Sequence, residues 1–172
     1  MGAKFLAICA TGLLVSGCLK QQQQPGNDAT ESAKQIQATL DRWAKAFDAK
    51  DVDGVMAMYA PGAALTAFDI VPPLQFKGAD SYRKDYADFF AQFDGPLHVE
   101  FRDEHLEISG DLAVDYSLER ITGKMKNGTA VDTWLRATSV FKRTGGKWLD
   151  IHDHISVPAD MASGKARMDL KP

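Results

Sequence analysis

Trp148-Leu149-Asp150-Ile151-His152-Asp153-His154-Ile155-Ser156-Val157-Pro158 is the extended stretch from which the fold is read. Thr144, Gly145 and Gly146 place a turn ahead of it, and Pro158 closes it. Neighbouring side chains of a strand point to opposite faces, so His152 and His154 share one face and Asp153 takes the other. Upstream, extended runs recur at 130–142, 112–124 and 98–108, separated by turns at Asn127-Gly128 and Gly110. Asn-Gly between alternating runs is a strong hairpin signal, so these four strands read as an antiparallel meander.

The N-terminal half has a different period. Ile36, Leu40, Trp43, Ala44 and Phe47 recur at helical spacing within 32–50, with Thr30 or Ser32 available as a cap. Asp51-Val52-Asp53-Gly54 opens a second, short helix through Val55, Met56 and Tyr59, stopped by Pro61-Gly62. A strand is expected at 64–69, then an irregular loop at Pro72-Pro73. Gly78 to Ser81 start a third helix carrying Tyr82, Tyr86, Phe89, Phe90 and Phe93, ended by Gly95-Pro96. The order helix-helix-strand-helix followed by four strands specifies an α+β domain, three N-terminal helices lying on one face of a curved antiparallel sheet.

The first residues have the tripartite form of an export segment: Lys4, an apolar run over 5–15, and small Ser16-Gly17. The run falls short of the roughly 20 apolar residues a membrane span needs. Val15-Ser16-Gly17-Cys18 resembles the lipobox of bacterial lipoproteins, which implies cleavage before Cys18 and lipidation of its thiol; an ordinary secretory signal is the alternative. Leu19 after the cysteine favours the periplasmic face of an outer membrane in a cell with two membranes. The expected organisation is a signal peptide at 1–17, lipidated Cys18 and a polar, Gln-rich tether at 18–29, and one domain at 30–172. Of the two cysteines, one lies in the signal and one is the lipid acceptor, so the mature domain has neither a disulfide nor a thiolate nucleophile. With 45% hydrophobic residues, a net charge of −3 and no basic clusters, nucleic acid is not an expected partner.

Two stretches, 47–60 around Phe47-Asp48-Ala49-Lys50-Asp51-Val52-Asp53-Gly54 and the Gly146-Lys147-Trp148 to Pro158 strand, resemble the SnoaL-like and ketosteroid-isomerase-like branch of the nuclear transport factor 2-like superfamily. The resemblance implies a cone-shaped α+β barrel with a pocket between sheet and helices, and a homodimer. It implies no activity, because the fold hosts enzymes and binders alike. The isomerase catalytic positions fall at Trp43, Ala67 and Thr138, none of which keeps the isomerase residue, so steroid isomerisation is not expected.

Candidate site residues follow from shared faces. Asp69 stands two residues beyond Ala67 and is the candidate general base, or else a solvated turn residue. Trp43, Tyr59 and Tyr86 form a candidate ligand shell, or else an aromatic core. Trp134, Arg136 and Thr138 share a strand face that the resemblance turns toward the pocket, where Arg136 suits an anionic group or pairs internally with Asp132 or Glu119. His154 is the second acid/base candidate. Along the last strand the resemblance makes Ile151, Asp153 and Ile155 line the cavity and sends Trp148, His152 and His154 to the opposite face, with Trp148 and His152 at a dimer interface. One bulge would reverse that assignment. No metal and no cofactor are expected: His-x-His has metal spacing, but the other histidines, His98 and His105, lie on another strand at opposite parities, which leaves only a carboxylate to complete a ligand set. The resulting expectation is a lipid-anchored cell-envelope domain binding a small, partly apolar molecule that carries an anionic group. An isomerase, dehydratase or hydrolase using Asp69 or His154, and a noncatalytic interaction module with a cone plugged by Phe89, Phe90 or Phe93, are the alternatives.

Overall fold

A computed structural model describes residues 25–172, so Cys18 and the export segment lie outside the described residues. Helix α1 spans Pro25–Asp48, α2 Val52–Met56 and α3 Ala79–Phe90. The strands are β1 Thr66–Phe68, β2 Phe76–Lys77, β3 Phe93–Ser109, β4 Leu112–Met125, β5 Ala130–Thr144, β6 Lys147–Ser156, and a small hairpin of β7 Ala159–Asp160 and β8 Lys165–Ala166.

α1 begins at Pro25, inside the stretch expected as tether; proline suits the first helical turn, where its missing N–H has no partner to lose. Asp28 of this first turn makes a two-pronged contact with Arg143 at 2.9 and 3.2 Å, fastening the helix start to the β5–β6 hairpin. Ile36, Leu40, Trp43 and Phe47 are buried on the face that packs over β3. Asp51 caps α2 by accepting from the Gly54 N–H at 3.0 Å. Gly54 permits the close approach of α2 to α1, since a Cβ there would sit 2.7 Å from that of Ala46. α2 stops at Met56, earlier than expected, because Tyr59 is drawn into a bridge with Asp150: the Asp150 N–H donates to the Met58 carbonyl and the Ala60 N–H to the Asp150 carbonyl. α3 likewise ends at Phe90, with Phe93 already in β3 and Gly95-Pro96 inside an irregularity of that strand.

The six-stranded sheet runs β2-β1-β6-β5-β4-β3. The meander β3 to β6 is antiparallel as expected, whereas β1 joins β6 in parallel, with Ala67 opposite Asp153. The helices cover its concave side and leave the convex side outward, producing the expected α+β cone.

β6 contains the decisive irregularity. Phe141 pairs with Asp150, but the next pair is Val140 with His152, so Ile151 is an extra residue. A bulge of this kind reverses which parity faces inward. Before it, Trp148 and Asp150 are buried; after it, Asp153 is buried and His154 is exposed.

Candidate functional site

The concave face, α1, α3 and the loop after β1 enclose a cavity of about 260 Å³. Its apolar wall includes Trp43, Phe47, Phe89, Ile121, Leu135 and Ile155, and its polar groups are Tyr82, Tyr86, Gln92, Asp69, Asp85, Asp88 and Glu119. Phe89 forms wall rather than plug, and Phe90 and Phe93 are buried in the core, so the phenylalanines leave the cone open. Trp43 and Glu119 also line a deeper recess of about 20 Å³ with Tyr59, Asp115, Ser117, Ser139 and Asp153. That recess has the size of a single-water site. Trp43 Nε1, Asp115 Oδ1 and Ser117 Oγ are buried around it with no hydrogen-bond partner among the described residues.

Asp153 anchors a chain of hydrogen bonds. The Tyr59 hydroxyl donates to Asp153 Oδ2 at 3.0 Å, and Ser139 Oγ to Oδ1 at 3.2 Å. Tyr82 Oη lies 3.2 Å from Asp69 Oδ2 and 3.3 Å from Asp153 Oδ2, so its one proton serves either carboxylate. Tyr59 Oη and Tyr86 Oη are 2.7 Å apart. The resulting chain Asp69–Tyr82–Asp153–Tyr59–Tyr86 has both ends at the cavity.

Electrostatics are set by burial without compensation. Burial pushes the Glu119 carboxyl up to about 8, with the charges of Asp153 and Asp69 adding to it. Burial takes Asp115 to about 7, assisted by Glu104 and Asp153. Asp85, at the mouth, rises to about 6 through burial and the neighbouring Asp69 and Asp88. Asp153 also reaches about 6, burial outweighing the hydrogen bonds from Tyr59 and Ser139. Asp69 is raised by burial, and Asp150, fully buried, is raised well above the carboxylate range by burial and by Asp153. Tyr59, Tyr82 and Tyr86 are pushed upward by burial and are neutral donors.

Of the residues anticipated from sequence, Trp43, Tyr59, Tyr86, Asp69 and Asp153 come together here. Trp134, Arg136 and Thr138 do not. Counted back from the Gly145-Gly146 turn without the bulge, Thr138 would stand opposite Asp153 and share its inward face; the extra Ile151 puts Ser139 there and turns Thr138 outward opposite His154. Trp134 and Arg136 follow Thr138 to the convex face, where Trp134 lies under the Arg120 guanidinium at 5.8 Å and Arg136 is exposed. Neither expected ion pair of Arg136 forms, since Asp132 is engaged by Arg120 and Lys171 while Glu119 faces the cavity.

The same bulge removes Trp148 from the proposed interface: it is buried, with the Arg143 guanidinium 5.4 Å over its ring. His152 is outward but committed, its Nδ1 being 2.8 Å from the Thr66 carbonyl and its ring against Phe68. His154 is outside the enclosed cavity, in an open groove that it shares with Phe68, Asp69 and Ile155, and makes no hydrogen bond to Asp69 or Tyr86. Ile151, expected at the cavity, is the bulged residue, while Ile155 does line it. Sequence reasoning did not place Tyr82, Ser139, Asp115 or Glu119 in the site, taking Tyr82 only as a helix residue and Glu119 only as a partner for Arg136. The alternation Asp115, Ser117, Glu119 on one strand face was legible as a signal, but it resembles an ordinary solvated face.

Comparison with known proteins places this geometry. The fold is that of the nuclear transport factor 2-like superfamily. An NTF2-like protein of unknown function from Pseudomonas putida shares 33% identity over 83% of this chain and 98% of its own, with a TM-score of 0.75. An NTF2-like superfamily protein from Salmonella enterica has a TM-score of 0.70 at 16% identity, covering 81% of this chain and 99% of its own. A structure named as a candidate scytalone dehydratase from Novosphingobium aromaticivorans has a TM-score of 0.68 at 10% identity, covering 76% and 87%, a likeness of fold alone. The SnoaL-like domain family matches residues 36–160, and the chain belongs to that family. No protein of curated function matches the sequence.

Proposed function

We propose that this chain is a small-molecule-binding SnoaL-like domain, held at the cell envelope by lipid on Cys18. The observation that carries the binding role is the cavity: about 260 Å³, with an apolar wall of Trp43, Phe47, Phe89, Ile121, Leu135 and Ile155 and a set of convergent polar groups. The volume is below the range typical of drug-sized ligands, so the ligand is small. The anionic group anticipated from Arg136 loses its basis, because that side chain is on the other face of the sheet. The convex face, with Leu112 and Tyr116 exposed, is the surface proposed for homodimer contact.

A second reading is acid/base catalysis, favoured by the hydrogen-bonded chain with both ends in the cavity. Asp69 would take a proton from a bound substrate, Tyr86 would turn the proton it shares with Tyr59 to the substrate oxygen, and Tyr82, Asp153 and Tyr59 would relay a proton back along the chain to Tyr86. His154 lies in the open groove on the other side of Asp69 and stands outside this hydrogen-bonded chain.

Leu135→Trp tests the binding role by filling the cavity from its wall. A small-fragment screen by ligand-observed NMR is expected to give hits for the parent domain that disappear in the variant, while the variant keeps its circular dichroism spectrum. Hits unaffected by Leu135→Trp would place binding elsewhere and end this reading. Metabolic labelling with fatty acid, abolished by Cys18→Ala, tests the anchor.

A further inference from the structure

Glu119 is 5% exposed, faces both the cavity and the recess, and makes no hydrogen bond among the described residues. Around it stand Asp69, Asp85 and Asp88 at the outer end and Asp115 and Asp153 at the inner end. Neither lining includes a lysine, arginine or histidine. Buried carboxyl groups are ordinarily paired with cations or hydrogen-bond donors, because desolvation otherwise penalises their ionised form. Asp153 has its donors; Glu119 has none.

Among the described residues no three His, Cys, Asp or Glu side chains converge as a metal site. The remainder of the lining describes what would carry the missing counter-charge. Trp43, Phe47, Phe89 and Tyr86 present aromatic surface beside Glu119, and ring faces attract organic cations as well as apolar bodies. The volume admits a compact molecule rather than a peptide or polyamine chain.

We infer that the cavity selects a small organic ammonium, a protonated amine on an aromatic or aliphatic body, with its nitrogen directed to Glu119 and its body against Trp43, Phe47 and Phe89. This deepens the binding role proposed above and rests on it. The ammonium would supply donors to an unpartnered carboxylate, and the carboxyl would release its proton on binding.

Three probes of nearly equal shape separate charge from fit: phenethylamine, phenethyl alcohol and hydrocinnamate, titrated by calorimetry against the intact mature domain. The amine is expected to bind about tenfold or more tightly than the alcohol, the scale of one charge-assisted hydrogen bond, and the carboxylate to bind weakest. Glu119→Gln should remove the preference for the amine and leave the alcohol nearly unchanged. Asp85→Asn, at the half-buried mouth, should reduce it less and serves where Glu119→Gln fails to fold. Equal binding of amine and alcohol, or preference for hydrocinnamate, overturns the charge selection while leaving the cavity as a binding site. Binding of none at millimolar concentration overturns both. An amine preference that survives both substitutions overturns the placement of the nitrogen.

Discussion

Replacing Glu119 by glutamine should stabilise the protein, increasingly so as the pH rises. In the unfolded chain this carboxyl titrates near its ordinary 4.5, whereas burial among Asp153 and Asp69 holds it at about 8 in the fold. Between those values the native state keeps a proton that the unfolded state has released, so raising the pH favours unfolding. The contribution is fully present below pH 4.5 and is lost as the pH climbs through about 8. At about 1.4 kcal/mol per unit, Glu119 costs roughly 3 kcal/mol of stability at pH 7 relative to its value in acid. Glutamine has nearly the same shape, does not ionise, and faces the same cavity. Urea denaturation followed by circular dichroism from pH 4 to pH 8 should therefore give curves for parent and variant that coincide in acid and separate by about 3 kcal/mol at neutrality. Subtracting the two isolates Glu119 from the other raised carboxyls, Asp69, Asp85, Glu104, Asp115, Asp150 and Asp153. Parallel curves, with no pH-dependent separation, would refute the reasoning by showing that Glu119 titrates alike in both states.

Tyr59→Phe removes the donor to Asp153 and the partner of Tyr86 together, and should destabilise by about 1–3 kcal/mol in urea denaturation. If Asp69 is a catalytic base, Asp69→Asn should abolish turnover of any substrate found for the cavity while leaving its binding measurable, a split that calorimetry and a single-turnover assay read directly. Gly54→Ala should lose about 1–3 kcal/mol in thermal or urea unfolding despite alanine's better helix propensity, because its Cβ meets the Ala46 methyl and the capping carboxyl of Asp51.

Much of the architecture was legible from periodicity. The apolar spacing of Ile36, Leu40, Trp43 and Phe47, the Asp51 cap, and the turns at Gly110, Asn127-Gly128 and Gly145-Gly146 each have a local physical cause that acts wherever they occur. The parallel join of β1 to β6 was not legible, because three residues carry too little alternation to name a partner. The site divided at Ile151. A strand's period of two makes every inward or outward assignment depend on a continuous register, and one inserted residue exchanged the predicted positions of Thr138 and Ser139, and of Trp148 and its alternates, without any change in local composition. Asp153 lies beyond the bulge, where it is buried against the inner recess. Glu119 was read only as a partner for Arg136 for a different reason: acidic residues in an alternating strand usually face water, and only the closed geometry shows that this one does not.

The most direct measurement is native mass spectrometry of the protein extracted from the envelope in which it is made. The expected spectrum carries a diacyl or triacyl mass on Cys18 and, on each domain, one retained small molecule that is absent from Leu135→Trp. A lipidated domain with no retained molecule in either form, together with no fragment binding in solution, would contradict the claim that the cone is a ligand site.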